Sequence, residues 1–492
     1  MGNTRTPREL IELYWERVWN NREADLIREI CADPIIRHDP QSVTRLSHDE
    51  QVNRVRQQSS KMEPYFTHEV LLADDTYVTS VWNMYTRKGE RIELCGIEVF
   101  KAENGRFTDC WNSSYTPGFW GREGDPSVPK DLPPPGLLAN VGQIDITWLQ
   151  RVFAQAGIEV PRVSLCRTEP FGKGNVSSTV KVMIDYNADA SGAPHSAIAK
   201  FHSEVPEAAA LAARYDLYGR EADVYALFGA NPPLQVPRVY LSNTSANRQS
   251  INLLFEDLSE RCRPGDQIAG CDQADAAAVV DQLASLHARY LQSPELPGLE
   301  WAMDRAFAAG LAEETYVAGA GMFRERFGDR LTADEFRIID AFKPLVGAWS
   351  GVRSAHQTLI HRDPRVDNIL FATGADGLPS AYVIDWQCAG VGDPQFDLAY
   401  FLTGSLSPED RRACERPLIA RHAQVLRTRD ASYTDDVALA NYRRNVVSGL
   451  QATVGAAVAI PSTPQTDALL LALVRRNCAA VADWDALAVL TA

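Results

Sequence analysis

Between residues 7 and 20, Leu10, Leu13, Tyr14 and Val18 recur at helical spacing and fall on one face. A second short helix is expected around 24–31, and Ile35-Ile-Arg-His-Asp-Pro40 reads as an apolar strand entering a turn. From 65 onward strand-forming residues dominate. Segments 65–73, 76–87, 91–102 and 106–115 read as four strands rich in Val, Thr, Tyr, Phe and Trp. Asp74-Asp75, Lys88-Gly89 and Asn104-Gly105 separate them, and Asn-Gly between strand patterns is a strong hairpin signal. Prolines crowd 121–140, which predicts a stiff, extended connector and a domain boundary. Beyond it a helix at 147–155 precedes strands at 163–171, 176–186 and 196–201. A long helix at 206–228 follows, and strands at 236–242 and 250–258 complete a five-stranded sheet. From 272 the pattern turns helical, with Val279, Val280, Leu283, Leu286, His287 and Tyr290 on one buried stripe. His287 on that stripe reads as a core histidine. Segments 442–450 and 475–484 read as amphipathic helices whose arginines form a structural or solvated face, or meet an anionic group.

Two apolar runs then deliver polar residues at a telling spacing. The first ends in His361-Arg362-Asp363, with Asn368 five residues past the aspartate; the second, Ala381-Tyr-Val-Ile384, ends in Asp385. Phosphoryl transfer from a nucleotide needs a carboxylate to orient the attacking hydroxyl, and oxygen ligands to hold magnesium on the phosphates. H-x-D-x-x-x-x-N with a later aspartate is the catalytic core of the kinase signature. On this reading Asp363 orients the hydroxyl, Asn368 and Asp385 ligate Mg²⁺, and His361 anchors the loop. Asp367 is expected to face solvent.

Upstream, Gly172-Lys-Gly-Asn-Val-Ser177 joins two strands, as a phosphate-covering loop does. Gly172, Gly174 and Asn175 are its candidate contacts, although Ser177 stands where a third glycine would be, and an isolated loop of this kind also reads as an ordinary turn. Ala197-Ile-Ala-Lys200 ends an apolar strand in a lysine, which needs an anionic partner because an unpaired buried charge is costly. Glu221 on the following helix is the expected partner; Asp223 would face roughly 200° away.

His361, Asp363, Asn368, Ile384-Asp385-Trp386 and Gly392-Asp-Pro-Gln-Phe-Asp-Leu-Ala399 resemble aminoglycoside phosphotransferases and ecdysteroid-kinase-like (choline-kinase-like) enzymes over roughly 140–492. Arg362 departs from the glycine usual there and matches the habit of protein kinases. Protein kinases, however, need an activation segment and an A-P-E anchor, for which the run from Asp385 to Gly392-Asp393-Pro394 leaves no room. The resemblance implies that Leu253-Leu-Phe-Glu-Asp-Leu258 leads into an inter-lobe hinge, with backbone near Glu256 and Leu258 receiving adenine. It also implies that Asp393 and Asp397 brace the catalytic loop. Residues 1–120, through Arg37-His-Asp-Pro40 and Gly96-Ile-Glu-Val-Phe-Lys101, resemble SnoaL-like domains, whose curved sheet and helices enclose an apolar pocket. His38, Asp39 and Asp109 are the candidate bases there, and His38 and Asp39 also read simply as a cap on the turn before Pro40.

Together the resemblances imply an α+β chain. A SnoaL-like cone at 1–122 and a connector at 123–140 precede a two-lobed protein-kinase-like fold, its sheet lobe at 141–258 and its helical lobe at 259–492. The implied activity is an ATP- and Mg-dependent O-phosphotransferase acting on a small hydroxylated molecule. Two alternatives stand beside it. One is a kinase-shaped nucleotide-binding module with little turnover; the other is a bifunctional protein whose first domain isomerises or cyclises the same substrate. Trp301, Met303, Phe307, Tyr316 and Phe323 sit at helical spacing and read as core or as a wall of the acceptor pocket.

Composition narrows this picture. The 492 residues exceed one ordinary core, and 45% hydrophobic with 23% charged content is globular. A net charge of −15 argues against a general nucleic-acid or anionic-membrane binder. Nine scattered cysteines without a C-x-x-C pair read as reduced thiols of a cytoplasmic protein. The amino terminus lacks a signal-peptide core, and its Met-Gly start with Thr6 fits the loose myristoylation pattern only by chance. The apolar run at 446–460 is too short to span a bilayer. A homodimer through the SnoaL-like sheet is a further expectation from the resemblance.

Overall fold

The computed structural model describes residues 5–89, 92–113, 115–120, 134–172, 176–302, 305–374 and 377–491, with the side chains of 305–308 left out. The chain divides into two compact units, Met1–Pro126 and Ser127–Ala492.

In the first unit, Thr6 and Glu9 form a reciprocal capping box that starts the helix Pro7–Glu12. The helix runs on through Leu13–Asn20 in wider π turns. That widening broadens its apolar face: Ile11, Trp15 and Trp19 are buried with Leu10, Tyr14 and Val18, while Leu13 is only half-buried. The helix packs on a seven-stranded sheet. Six strands run in the order Ser42–Leu46, Cys31–Asp39, Arg106–Asn112, Glu93–Glu103, Tyr77–Thr86 and Pro64–Ala73, and Thr116–Pro117 pairs with Glu93–Glu103. Cys31–Asp39 lies parallel to Arg106–Asn112, and the other neighbours are antiparallel. Three elements escaped the sequence reading: the strand Ser42–Leu46, the helix His48–Met62 and the short strand Thr116–Pro117. The helix carries its own start signal, Ser47-His-Asp-Glu50, realised as a second capping box.

The second unit opens with a sheet lobe. Its five antiparallel strands lie in the order Val239–Thr244, Ile251–Glu256, Ser196–His202, Ser177–Tyr186 and Val163–Pro170. Leu138 exchanges hydrogen bonds with the Asn252 side chain (2.6 and 3.1 Å), and Trp148 Nε1 donates to Gly136 O at 2.9 Å. Residues 136–138, proline-rich connector by composition, are therefore fastened to this lobe. Residues 121–133 lie outside the described set. Strand Ser196–His202 alternates strictly: Ala197, Ala199 and Phe201 are fully buried on one face, and Lys200 lies on the half-buried other face.

The expected single helix at 206–228 is two, Pro206–Arg214 and Leu217–Phe228. Between them Asp216 adopts φ +50, and its carboxylate accepts from Arg248 Nε at 2.8 Å. A left-handed residue breaks the helical ladder and re-aims the second helix.

The rest of the unit is mainly helical, with Tyr316 and Phe323 in its core and Trp301 half-buried against it. Met303 and the Phe307 side chain lie outside the described residues. Two small sheets carry the polar loops. Thr358–Ile360 pairs with Gly390–Gly392, and Arg263–Pro264, Ile369–Thr373 and Pro379–Val383 form a three-stranded sheet. All nine cysteines are free. No described helix is long and apolar enough to cross a membrane.

Candidate active site

Strand Thr358–Ile360 stops at His361 because Asp397 captures the backbone beyond it. Asp397 Oδ2 accepts from His361 N–H (2.6 Å) and Oδ1 from Arg362 N–H (2.9 Å). Arg362 is thereby held at φ +69, a conformation glycine adopts without penalty and other residues rarely. Here the Asp397 carboxylate clamp holds an arginine in that shape. Asp363 N–H lies 3.3 Å from His361 Nδ1, so Nε2 carries the ring proton and donates to Ile384 O at 3.0 Å. His361 thus ties the Asp363 loop to the strand that ends in Asp385.

The loop closes on itself through Asn368. Its Nδ2 donates to Asp363 O (2.9 Å) and lies 3.3 Å from Asp363 Oδ2, while Asn368 O accepts from Ile384 N–H at 3.0 Å. Asn368 and Asp385 therefore stand side by side through their backbones. Asp385 adopts φ +67, strained for a residue with a side chain.

Lys200 completes the arrangement from the sheet lobe. Its Nζ lies 2.9 and 2.7 Å from the Glu221 oxygens and 2.9 Å from Asp385 Oδ1. Glu221 is 1% exposed and Asp385 23%. Burial alone would lower the Lys200 pKa, but the Asp385 and Glu221 charges outweigh it and hold the ammonium charged. One cation serves two carboxylates. Burial pushes Glu221 up, and Asp385, despite its own burial, is held down by Lys200. Asp223 turns away and pairs with Arg248.

Four supporting residues were not evident in the sequence. Tyr400 donates to Asp363 Oδ1 at 2.7 Å from the helix Pro394–Ser405, one turn past Asp397, a spacing that could have flagged it. Gln267 is buried; its Oε1 accepts from Val366 N–H (2.5 Å), and its own N–H donates to the exposed Asp367 (2.9 Å). Gly265 approaches the loop so closely that a Cβ would sit 2.0 Å from Val366 O. Arg365 Nε, 3.7 Å from Asp363 Oδ2, has no hydrogen-bond partner. Behind the loop, Gln395 Nε2 donates to His422 Nδ1 (3.2 Å), His422 Nε2 to His287 Nδ1 (2.9 Å), and His287 Nε2 to Asp397 (3.2 Å). Asp393 caps its helix through Gln395 N–H at 2.8 Å.

The phosphate-loop candidates divide. Gly172 adopts φ +76 just after strand Val163–Pro170, whereas Gly174 and Asn175 lie outside the described residues. Glu256 ends its strand with its N–H donated to Arg238 O (2.8 Å), and Leu258 is buried, its carbonyl accepting from Arg261 and Cys262. Among the C-terminal arginines, Arg443, Arg475 and Arg476 all donate to backbone carbonyls.

In the first unit, two of the candidate bases face the wrong way. Pairing of Arg37 with Cys110 and of Cys110 with Phe100 puts Arg37, Asp39 and Glu98 on the helix-covered face. His38 and Asp109, one step out of phase, lie on the opposite face, 3.0 Å from each other, with His38 stacked on Trp111. They do not line an interior pocket. Asp39 is paired with Arg37 at 2.9 Å. The carboxylate that is buried on the covered face is Glu98; burial raises its pKa, and Tyr115 donates to it at 3.1 Å.

A sheet lobe presenting a paired lysine, set against a helical lobe presenting an Asp–Asn loop and a second aspartate, is the organisation of a kinase-like phosphotransferase. The chain belongs to the phosphotransferase enzyme family, whose model matches residues 170–432. It is 34% identical over 107 residues to viomycin phosphotransferase of Streptomyces vinaceus, a match covering 22% of this chain and 31% of that protein. The chain thus spans about a third of the length of that curated relative. Among solved structures, a Plasmodium vivax ethanolamine kinase is similar at 10% identity over 68% of this chain and 89% of that one, with a TM-score of 0.41. A putative polyketide cyclase from Acidithiobacillus ferrooxidans is similar at 19% identity over 23% of this chain and 89% of its own, with a TM-score of 0.21.

Proposed function

We propose that the protein is an ATP- and Mg²⁺-dependent O-phosphotransferase that phosphorylates a hydroxyl of a small organic alcohol. The observation that carries this reading is Lys200 Nζ, within 2.9 Å of both Glu221 and Asp385, so that a strand of the sheet lobe meets the loop of the helical lobe. Asp363 stands in that same loop system, its carboxylate oriented by Tyr400 and Asn368.

The residues present suit magnesium. Asn368 uses its Nδ2 internally, which leaves its Oδ1 for a cation, and Asp385 adds a carboxylate beside it. Two protein oxygens completed by phosphate and water suit Mg²⁺, which keeps much of its hydration. When bound, the ion would neutralise charge on the phosphate oxygens. Lys200 would exchange Asp385 for the phosphates while Glu221 keeps it in place. Gly172 and its neighbours would cover the phosphates, and the backbone near Glu256 and Leu258 would receive the adenine.

Asp363 orients the acceptor hydroxyl so that its oxygen forms a bond to the γ-phosphorus as the bond to the leaving ADP oxygen breaks. The hydroxyl proton passes to Asp363. Catalysis is then positioning and electrostatics without a covalent enzyme intermediate. The test is ADP release across a panel of alcohols, with Asp363→Asn as control. That variant should lose about 10²–10⁴-fold in turnover, as removal of a positioned base does, while Mg·ATP still raises the melting temperature. Nucleotide-dependent stabilisation without turnover of any alcohol would favour a binding module instead.

Glu98 supports a second reading, in which the first unit carries out proton-transfer chemistry of its own. A buried carboxyl whose pKa burial raises, facing the helix-covered side of the sheet, suits proton transfer. Isomerisation or cyclisation of the kinase's substrate, lost in Glu98→Gln while ADP release persists, would establish it.

A further inference from the structure

Arg365 stands out among the charged side chains around the catalytic loop. Its backbone is fixed on both sides. Arg365 O accepts from Asn368 N–H at 2.8 Å, and the adjoining Val366 N–H is held by the buried Gln267 at 2.5 Å. The side chain reaches Asp363 with Nε 3.7 Å from Oδ2, beyond hydrogen-bonding distance. That Nε is closed off from solvent and donates to nothing among the described residues, although the side chain as a whole is 36% exposed. The Asp363 oxygens are already engaged: Tyr400 donates to Oδ1 at 2.7 Å, and Asn368 Nδ2 lies 3.3 Å from Oδ2. A buried N–H without an acceptor costs free energy, so a loop that fixes Arg365 here keeps a donor for a further oxygen to satisfy.

The surrounding charges locate that oxygen. Asp363 above all raises the Arg365 pKa against the effect of burial, and Asp367 and Asp385 act in the same direction, so the guanidinium stays charged. Asp385, which burial would push up, is held down by Lys200 and then by Arg365. Arg365 is thus within electrostatic reach of both the carboxylate that orients the hydroxyl and the carboxylate assigned to the metal. A phosphoryl group in transfer passes between those two positions with charge spread over its equatorial oxygens. Asp363 meets that charge with one of the same sign. Lys200 comes from the sheet lobe and is already shared by Glu221 and Asp385, whereas Arg365 is a cation on the helical lobe beside Asp363 itself. Arg220 is occupied elsewhere, donating to the carbonyls of Gln387 (3.0 Å) and Tyr215 (2.8 Å).

We propose that Arg365 is a further catalytic residue, which turns from Asp363 to donate to an equatorial oxygen of the phosphoryl group during its transfer. The assignment rests on the phosphotransfer reading and adds to it a residue that touches the reacting group. The bond changes stay the same: the acceptor oxygen bonds to phosphorus, the bond to the ADP oxygen breaks, and the hydroxyl proton goes to Asp363. Arg365 keeps its own protons throughout. Its N–H groups gain most where charge builds on the oxygens, so the contact favours the transition state over the bound nucleotide. A grip on the body of the acceptor does not fit. The cavity that Arg365 and Tyr400 line is about 50 Å³, room for a few waters and not for an acceptor.

The experiment needs no acceptor other than water. The full-length protein and its Arg365→Met variant are compared in slow hydrolysis of Mg·ATP. Titration calorimetry then measures Mg·ADP with and without fluoroaluminate, a mimic of the phosphoryl group in transfer. In Arg365→Met hydrolysis should fall about 10²–10³-fold with KM for ATP unchanged, the loss typical of one donor to a developing charge. The affinity added by fluoroaluminate should fall about as far, while Mg·ADP alone binds within about twofold of the native protein. Arg365→Lys keeps the charge without the two-pronged donor and should recover part of both, which also controls for a methionine that disturbs the loop. Placing Arg365→Met in Asp363→Asn separates contact from positioning. A direct contact still costs fluoroaluminate affinity there, whereas a residue acting only through Asp363 costs nothing more. Fluoroaluminate affinity unchanged by Arg365→Met, in either background, would overturn the assignment and leave phosphotransfer standing. A native protein with neither hydrolysis nor any gain from fluoroaluminate would overturn both.

Discussion

Replacing Lys200 with methionine tests the centre of the site through stability as well as activity. In the native protein the Nζ satisfies Glu221 and Asp385 at 2.7–2.9 Å, and Glu221 is 1% exposed. Methionine keeps the apolar stem and removes the charge, leaving Glu221 buried without its cation. Stranding one partner of a buried pair costs about 3–5 kcal/mol. Asp385, 23% exposed, can draw on water, so the lower end of that range is expected. Adding Glu221→Gln removes the stranded charge, and the double variant should regain all but about 1 kcal/mol. The sign with pH follows from linkage. A carboxylate whose folded pKa lies above the unfolded value near 4.5 adds stability below that pH and loses it as pH rises through the folded pKa. The deficit of Lys200→Met should therefore shrink on acidification toward pH 4.5. Urea unfolding followed by circular dichroism measures these differences, with the core of Met1–Pro126 as an internal reference. The Mg·ATP-induced rise in melting temperature should fall sharply in both variants. Native stability in Lys200→Met, with no recovery in the double variant, would refute the pairing and the site built on it.

Further expectations follow from the surrounding geometry. Tyr400→Phe removes the 2.7 Å hydrogen bond to Asp363; at about 1–1.5 kcal/mol this predicts roughly a five- to tenfold loss in kcat with KM for ATP unchanged, and an equal loss in both would refute the positioning role. Burial, aided by neighbouring His287, holds the His422 pKa well below 6.5. The unfolded chain therefore takes up a proton that the fold refuses, and stability should fall as pH drops below about 6.5, with a shallower slope in His422→Gln in pH-dependent thermal melts. Chelation of magnesium should abolish nucleotide protection in thermal melts, and Asn368→Ala should raise the magnesium concentration needed to restore it.

Much of this architecture was legible locally. Helical and strand periodicity located most elements, because a 3.6- or two-residue repeat is written within a short segment. Helix His48–Met62 carries a legible start signal as well, in Ser47 and Glu50. Lys200, Glu221, Asp363, Asn368 and Asp385 stand out because their spacing follows from strand ends and loop lengths. The break at Asp216 was hidden, since it depends on Arg248 arriving from another hairpin. So was the φ of Arg362, which Asp397 imposes from 35 residues away.

The same divide separates the two units. By itself the sequence determined that Glu98, Phe100, Arg37 and His38 lie on strands, and hence that adjacent residues alternate faces. Which face the helices cover was decided only by the register between Cys31–Asp39 and Arg106–Asn112, and that register turned His38 and Asp109 outward and Glu98 inward. In the second unit the carboxylates Asp363 and Asp385 were likewise marked by local spacing, but Tyr400, Gln267 and Gly265 were placed beside them only by packing. Local backbone rules reach only a few residues along the chain. Contacts between distant segments exist only once the whole core has closed around them.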